Sequence, residues 1–580
     1  MARRYGNPLD VAGVPTALAG SIQIRIHDLS RHARMNRPSQ AISQISLVVL
    51  RWVRPHVETF LALQQPKVWM LALLAGAAGA VVAIAFRSAI ALTQWLWAGT
   101  TSERFLSSIA TLPFWVPALA PLVGGAVIAF ILRYWHASGR AGGVADVIEA
   151  RTATTPRLGL REALRGTAIS AITLGSGGSA GREGPVVYCA AAVSRALFRF
   201  FDMPPSARRA MLGCGVAAAI AASFNAPIAG VLFAHEVILG HFAMSAFVPL
   251  VISAVVASVI SRGWFGEAPA FIVPDYQITS NWEIPAFALL GVTCALVAIL
   301  FQSALIGADW SARHVRLPSW MLPIFGGGLV GLIALVFPQV LGVGYEATDA
   351  ALGNRLDLML MLMLIVAKTV ATAITLGSRM GGGLFSPSLY LGAMTGGAFG
   401  LIAASVFPEM ASSQGLYAII GMGAVAAAVL GAPISTSVMI FELTGGFAFS
   451  IALLLTVSIA TGLTQLAMGR SFFYWQLYTR GILLEEGPHT FLAQRTRVRD
   501  VMRPLAEGAP EEVFEASPGK YFMRPADTLE MALRTFDAVE DASLPVVTHG
   551  AHVVVGHIFR VDALTKYNKS LVEQSREEHI

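Results

Sequence analysis

The sequence predicts an all-α polytopic membrane protein made of two related halves of broken helices, followed by a small α/β tail. Three observations point there. Hydrophobic residues make up 55% of the 580-residue chain and charged residues only 13%, where a soluble domain carries about 25%; mean hydropathy is +0.63. Apolar stretches recur from Lys67 to Met468, many long enough for a bilayer core, which takes about 20 helical residues. A pattern also recurs: Leu174-Gly175-Ser176 precedes Gly181, Pro185 and Tyr188, and Leu376-Gly377-Ser378 precedes Gly383, Pro387 and Tyr390, every pair 202 positions apart (376 − 174, 390 − 188). Each copy interrupts an apolar region, and matched interruptions in two halves of a membrane protein mark a solute site.

The first element, residues 1–66, reads as a cytoplasmic basic leader. It carries Arg3, Arg4, Arg25, Arg31, Arg34, Arg37, Arg51 and Arg54 and no apolar run of signal-peptide type, and the positive-inside rule places it in the cytoplasm. The net charge of +6 reflects this topological bias rather than nucleic-acid binding. Cys189, Cys214 and Cys294 are far apart in apolar surroundings, a spacing for core residues rather than for zinc or disulfides.

The membrane body spans residues 67–470, with halves at about 67–265 and 284–470. A second correspondence supports the division. Gly213 and Gly215 match Gly421 and Gly423 at an offset of 208, while Ala226-Pro227-Ile228 matches Ala432-Pro433-Ile434, and Glu236 matches Glu442, at 206 (442 − 236). A two-residue deletion reconciles the offsets. Similarity alone leaves inverted and parallel copies open. The 55 glycines suit close helix packing, and backbone broken at membrane depth needs protein or water around it.

Residues 471–580 are a more polar cytoplasmic tail. Ala526-Asp527-Thr528 reads as a helix start capped by Asp527 or Thr528, Ser543–Val547 and Val553–Ile558 as two strands joined near Gly550, and Asp562 as the start of a second helix.

Gly181-Arg182-Glu183-Gly184-Pro185 and Gly383-Leu384-Phe385-Ser386-Pro387 both have the composition of a helix start. Glycine permits close backbone approach and proline suits the first turn. Such a start presents unpaired N–H groups and about half a positive charge, a ready anion site that binds firmly enough for entry and weakly enough for exit. Glu183 could occupy that cradle itself, plugging the path when ionised and opening it when protonated or displaced. Its counterpart at 202 is Phe385, so the acid stands in one copy only, which fits a gate better than a structural cap or a surface partner of Arg182.

These residues resemble the CLC family of chloride channels and chloride/proton antiporters over roughly 67–485. Gly181–Pro185 is similar to that family's gating-glutamate motif, Gly383–Pro387 to its second anion-binding motif, and Phe224–Phe233 also resembles the family. The resemblance implies an inverted-repeat fold, a homodimer with one anion path per subunit, and a path lined by the backbone N–H groups of Arg182, Glu183, Gly184, Leu384, Phe385 and Ser386. It implies no cofactor, and chloride as the transported ligand.

Three departures stand out. In Ala141-Gly142-Gly143-Val144-Ala145, Gly142 replaces the serine that the family uses to touch the inner anion, with Gly143 beside it. Counting back from Gly481 puts Phe473, with Tyr474 adjacent, where the family has a pore tyrosine. Each lost hydroxyl removes a hydrogen bond worth about 1 kcal/mol, which predicts a looser inner site. The family's relay glutamate falls at Val237, which cannot hold a proton. The expectation is therefore a channel, or weak proton coupling. The alternatives are a chloride/proton antiporter and a fluoride or nitrate transporter.

Two readings from other classes are weaker. His235-Glu236 followed by His241 does not have the four-residue spacing of a helical metalloprotease site, so no enzyme is expected. The tail resembles a CBS unit at about 497–570, in which Gly556 and Asp562 would hold the ribose of an adenine nucleotide; only one unit is evident, since Val498-Arg499-Asp500-Val501-Met502 begins a second one that is poorly periodic. A ligand-sensing receptor is thus disfavoured. The expected setting is the cell (inner) membrane, both termini cytoplasmic, with the lipid bilayer, small anions and a second copy as partners.

Overall fold

The computed structural model describes residues 64–482 apart from 136–139, 153–157, 202, 267–270, 272–275 and 277, and residues 496–579 apart from 506–513, 515–520, 540 and 549–552, together with Val53, Arg54 and Phe60. Almost all of the predicted leader lies outside them.

Among the described residues each half contributes eight principal helices. The first half has α1 (Gln65–Ala98), α2 (Trp115–Tyr134), α3 (Val144–Thr152), α4 (Leu160–Gly175), α5 (Glu183–Phe198), α6 (Pro205–Phe224), α7 (Pro227–Phe233) and α8 (Met244–Phe265). The second has α9 (Ile284–His314), α10 (Leu322–Val336), α11 (Tyr345–Leu352), α12 (Leu358–Gly377), α13 (Phe385–Val406), α14 (Gln414–Leu430), α15 (Pro433–Thr444) and α16 (Ser450–Met468), and α17 (Phe472–Tyr478) follows it. Eight helices among the described residues are long and apolar enough to span a bilayer. The others, including α3, α7 and α11, are too short to cross alone, which is the broken-helix architecture expected.

The halves are inverted repeats that interlock about a pseudo-twofold, and glycine makes the contacts possible. A Cβ on Gly125 of α2 would stand 2.1 Å from the Pro323 carbonyl of α10, and one on Gly327 of α10 2.1 Å from the Pro121 carbonyl of α2. The repeated serines obey the same symmetry: Ser176 Oγ would lie 2.0 Å from a Cβ on Gly124, and Ser378 Oγ 1.9 Å from one on Gly326. The Leu-Gly-Ser pattern therefore marks helix ends whose hydroxyls fill glycine notches. Within the second half, α13 and α14 cross backbone to backbone, a Cβ on Gly396 meeting the Tyr417 carbonyl at 2.0 Å.

The tail forms a small sheet with helices. β1 (Arg503–Pro504), β2 (Ser543–Val547) and β3 (Val554–Phe559) form an antiparallel sheet in the order β1-β3-β2, Leu544 pairing Ile558 and Pro504 pairing Gly556. Thr528 caps α18 (Leu529–Ala538), its Oγ1 accepting from Met531 N–H at 3.2 Å. The second helix, α19 (Arg560–His579), begins two residues before Asp562. Val498 is buried in one core with Leu529, Phe536, Leu544 and Ile558, so the segment read as the start of another unit completes this one.

Candidate functional site

The two glycine-proline interruptions meet. Gly181 N–H donates to the Gly383 carbonyl at 2.7 Å and Gly383 N–H donates to the Gly181 carbonyl at 2.6 Å, an isolated antiparallel bridge between the halves. The approach leaves no room for side chains: a Cβ on Gly383 would be 2.7 Å from Gly184 N, and one on Gly184 3.1 Å from Gly383 Cα. This joint places the start of α5, at Glu183, beside the start of α13, at Phe385, and neither start is capped by its own preceding side chain. Their first-turn amides therefore converge as one positive cradle.

Glu183 fills that cradle. It is 2% exposed; one carboxylate oxygen accepts from Ser386 Oγ–H and the other from Ser386 N–H at 3.4 Å. An acid of one half thus lies on the helix start of the other. Arg182 turns away from it: its guanidinium donates to Glu103, which also pairs with Arg87 at 2.7 Å, and to the Ser223 carbonyl at 2.6 Å, and lies over the Tyr345 ring, 5.1 Å from its centre. Its contribution at the cradle is its backbone. Phe385 packs on Phe224 at 5.1 Å between ring centres.

Below Glu183 lies a cavity of ≈ 1690 Å³ whose lining includes Gly142, Gly143, Glu183, Gly184, Tyr188, Leu384, Phe385 and Phe473. Seven arginines and five carboxylates, Glu183 among them, also border it, a positive balance that concentrates anions. Gly143 N–H, at the start of α3, donates to Asp146 Oδ2 at 2.8 Å, so a carboxylate of the chain already holds that amide. Asp146 is in turn bound by Arg140 and by Arg480 just beyond α17, at 3.0 Å. Ser386 meets the site through Glu183. Tyr474 is not among the residues lining the cavity; it packs against the core.

Other residues singled out in the sequence fall elsewhere. Val237 is buried at 4% exposure in the wide turn Ala234–Leu239 that extends α7. Glu236 binds two amides of α15, and His235 Nδ1 meets the His241 carbonyl at 2.9 Å, which is helix capping and loop closure rather than a ligand set. Asp562 is gripped by Arg503 at 2.7 and 3.0 Å; that hydrogen bond and charge hold its carboxyl below the usual carboxylate range. A ribose reaching Asp562 would have to displace Arg503.

Two features escaped the sequence reading. Lys368 of α12 is fully buried, donating to the Val340 and Gly342 carbonyls at 2.9 Å each; one lysine in a 20-residue apolar helix was the available signal. Tyr188 and Gly142, 46 positions apart, are pressed together (188 − 142), and no local pattern marks such a pair.

Residues 124–465 match the model of the voltage gated chloride channel family. A ClcB-like protein of Ralstonia nicotianae is 33% identical over 412 residues, covering 70% of this chain and 95% of the relative. Chloride channel protein CLC-e of Arabidopsis thaliana is 33% identical over 374 residues, 60% of this chain and 52% of that one. The H+/Cl− exchange transporter ClcA of Yersinia pestis is 30% identical over 344 residues, 57% and 70%. Among solved structures, a slow cyanobacterial Cl−/H+ antiporter superposes with a TM-score of 0.64 at 22% identity, covering 72% of this chain and 98% of that one. A eukaryotic CLC transporter gives 0.63 at 17% identity, covering 86% and 98%, and a CLC-type fluoride/proton antiporter 0.59 at 20%, covering 70% and 97%.

Proposed function

Because this chain belongs to the voltage gated chloride channel family, the CLC proteins, we propose that it carries chloride or a similar small anion across a membrane, through the cavity below Glu183 and with Glu183 as the gate. The observation that carries this reading is the seat of the Glu183 carboxylate, on the Ser386 N–H and Oγ–H at the start of α13. A halide and a carboxylate compete for the same amide-rich helix start. Protonation removes the charge that holds the side chain there, and a rise in anion concentration displaces it. The arginine-rich wall of the cavity raises the local anion concentration on one approach.

Channel-like or weakly proton-coupled flux fits the apolar Val237 at the relay position, buried where an acid would be needed to pass a proton inward. A second reading, chloride/proton exchange, is favoured by the relatives described as H+/Cl− exchange transporters. The chain is a multi-pass membrane protein; we place it in the cell membrane as a homodimer with a basic cytoplasmic leader and a cytoplasmic tail. Both readings are tested by reconstituting the full chain in liposomes under a chloride gradient, recording chloride and pH together and substituting fluoride and nitrate. Chloride flux with few or no protons supports the first reading; a fixed chloride-to-proton ratio with uphill proton movement replaces it by the second; and absence of any anion flux overturns both.

A further inference from the structure

We propose that the Tyr188 hydroxyl coordinates the anion at the inner end of the path, doing in this chain what Gly142 and Phe473 cannot. The inference rests on the anion-transport reading above and adds a residue to it. A Cβ placed on Gly142 would stand 2.3 Å from Tyr188 Cε1, 2.4 Å from Cζ and 2.7 Å from Cδ1. The edge of the phenol, including the carbon that bears the hydroxyl, therefore fills the volume that a serine side chain at 142 would use. The Tyr188 ring occupies space that only a glycine at 142 leaves open.

The hydroxyl is also free to work. Tyr188 lines the same cavity as Glu183, Gly142 and Phe473, and its hydroxyl has no hydrogen bond among the described residues, yet is not one of the sealed, partnerless polar atoms. A phenol is both donor and acceptor, and one that opens on a water-accessible cavity with no protein acceptor can donate to an anion. Phe473, another ring of the cavity lining, has no donor to offer.

The second half supplies an internal control. Gly344 and Tyr390 stand 202 positions after Gly142 and Tyr188 (344 − 142, 390 − 188) and make the same contact, a Cβ on Gly344 falling 2.7 Å from Tyr390 Cδ2. There the tyrosine is fully buried, its hydroxyl sealed without a partner, and its ring 5.0 Å from Lys368 Nζ. Ring-on-glycine packing is thus common to both halves, and what sets Tyr188 apart is a hydroxyl that reaches the cavity.

The test is chloride titration calorimetry on the purified full chain, beside chloride flux in liposomes. Tyr188→Phe keeps the ring and removes the donor. It is expected to weaken chloride binding about ten-fold, the worth of one hydrogen bond to an anion, while Tyr390→Phe leaves affinity unchanged. Tyr188→Ala combined with Gly142→Ser returns a hydroxyl to the vacated space and is expected to bind more tightly than Tyr188→Ala alone. A wild type that binds and moves chloride with a Tyr188→Phe variant of unaltered affinity overturns this inference and leaves the transport reading standing, as does an equal loss in Tyr390→Phe. A wild type that neither binds nor moves chloride overturns both.

Discussion

Glu236 and Glu442 cap each other's half of the molecule. Glu236, after α7, accepts from the Ile434 and Ser435 N–H groups at 3.0 and 2.7 Å at the start of α15, and Glu442, on α15, accepts from the Ile228 and Ala229 N–H groups at 3.0 and 2.7 Å at the start of α7. The two short helices are thus tied into a closed pair by two carboxylates, each placed on the positive end of the other half's helix. The reciprocity also explains why both acids persist in the repeat while the histidine beside Glu236 has no counterpart.

Glu236→Gln and Glu442→Gln are expected to destabilise the protein by similar amounts, about 1–2 kcal/mol each, because each removes a charged cap from two amides. Thermal unfolding of the purified chain reads this directly. A loss confined to one of the two variants would contradict the reciprocal arrangement.

Glu183→Gln is expected to abolish the part of the pH response of anion flux that comes from this side chain. The amide is neutral at every pH, so flux no longer rises as protons are added. Flux measured in liposomes across acid and neutral pH checks it; a variant with the wild-type profile would remove Glu183 from the gate.

Gly383→Ala is expected to disrupt the joint between the repeats. The added methyl would meet Gly184 N at 2.7 Å, a backbone atom that cannot rotate aside, so the starts of α5 and α13 must part. Overpacking of this kind costs about 1–3 kcal/mol, and the displaced amides should lower flux well beyond that of an alanine placed at Gly462, which has open space around it. Equal flux in the two variants would show that the bridge is not needed.

Arg503→Ala is expected to leave the pH profile of flux unchanged between pH 7 and about pH 5. The Asp562 carboxyl is held below its unfolded value by the Arg503 hydrogen bond, so whatever this pair adds to stability is complete above the unfolded value of about 3.9 and is lost only as pH falls through the lower folded one. A profile shifted near neutrality would instead tie the tail to the gate.

The membrane class, the division into two halves, the interruptions at Gly181–Pro185 and Gly383–Pro387, and the acid present in only one copy are all legible in the sequence. Hydropathy, glycine, proline and a fixed offset are local or periodic properties, and they survive in a string of letters. The cap on α18 and both long tail strands are legible for the same reason. Tertiary structure alone decided that Gly181 and Gly383 bond to one another, that Glu183 lies on Ser386, and that the Tyr188 ring stands where a serine at 142 would. Those facts depend on which elements approach within a van der Waals radius, across the pseudo-twofold for Gly181–Gly383 and Glu183–Ser386 and within the first half for Tyr188–Gly142, and contacts between residues 46, 202 or 203 positions apart are set by helix packing that no local pattern encodes.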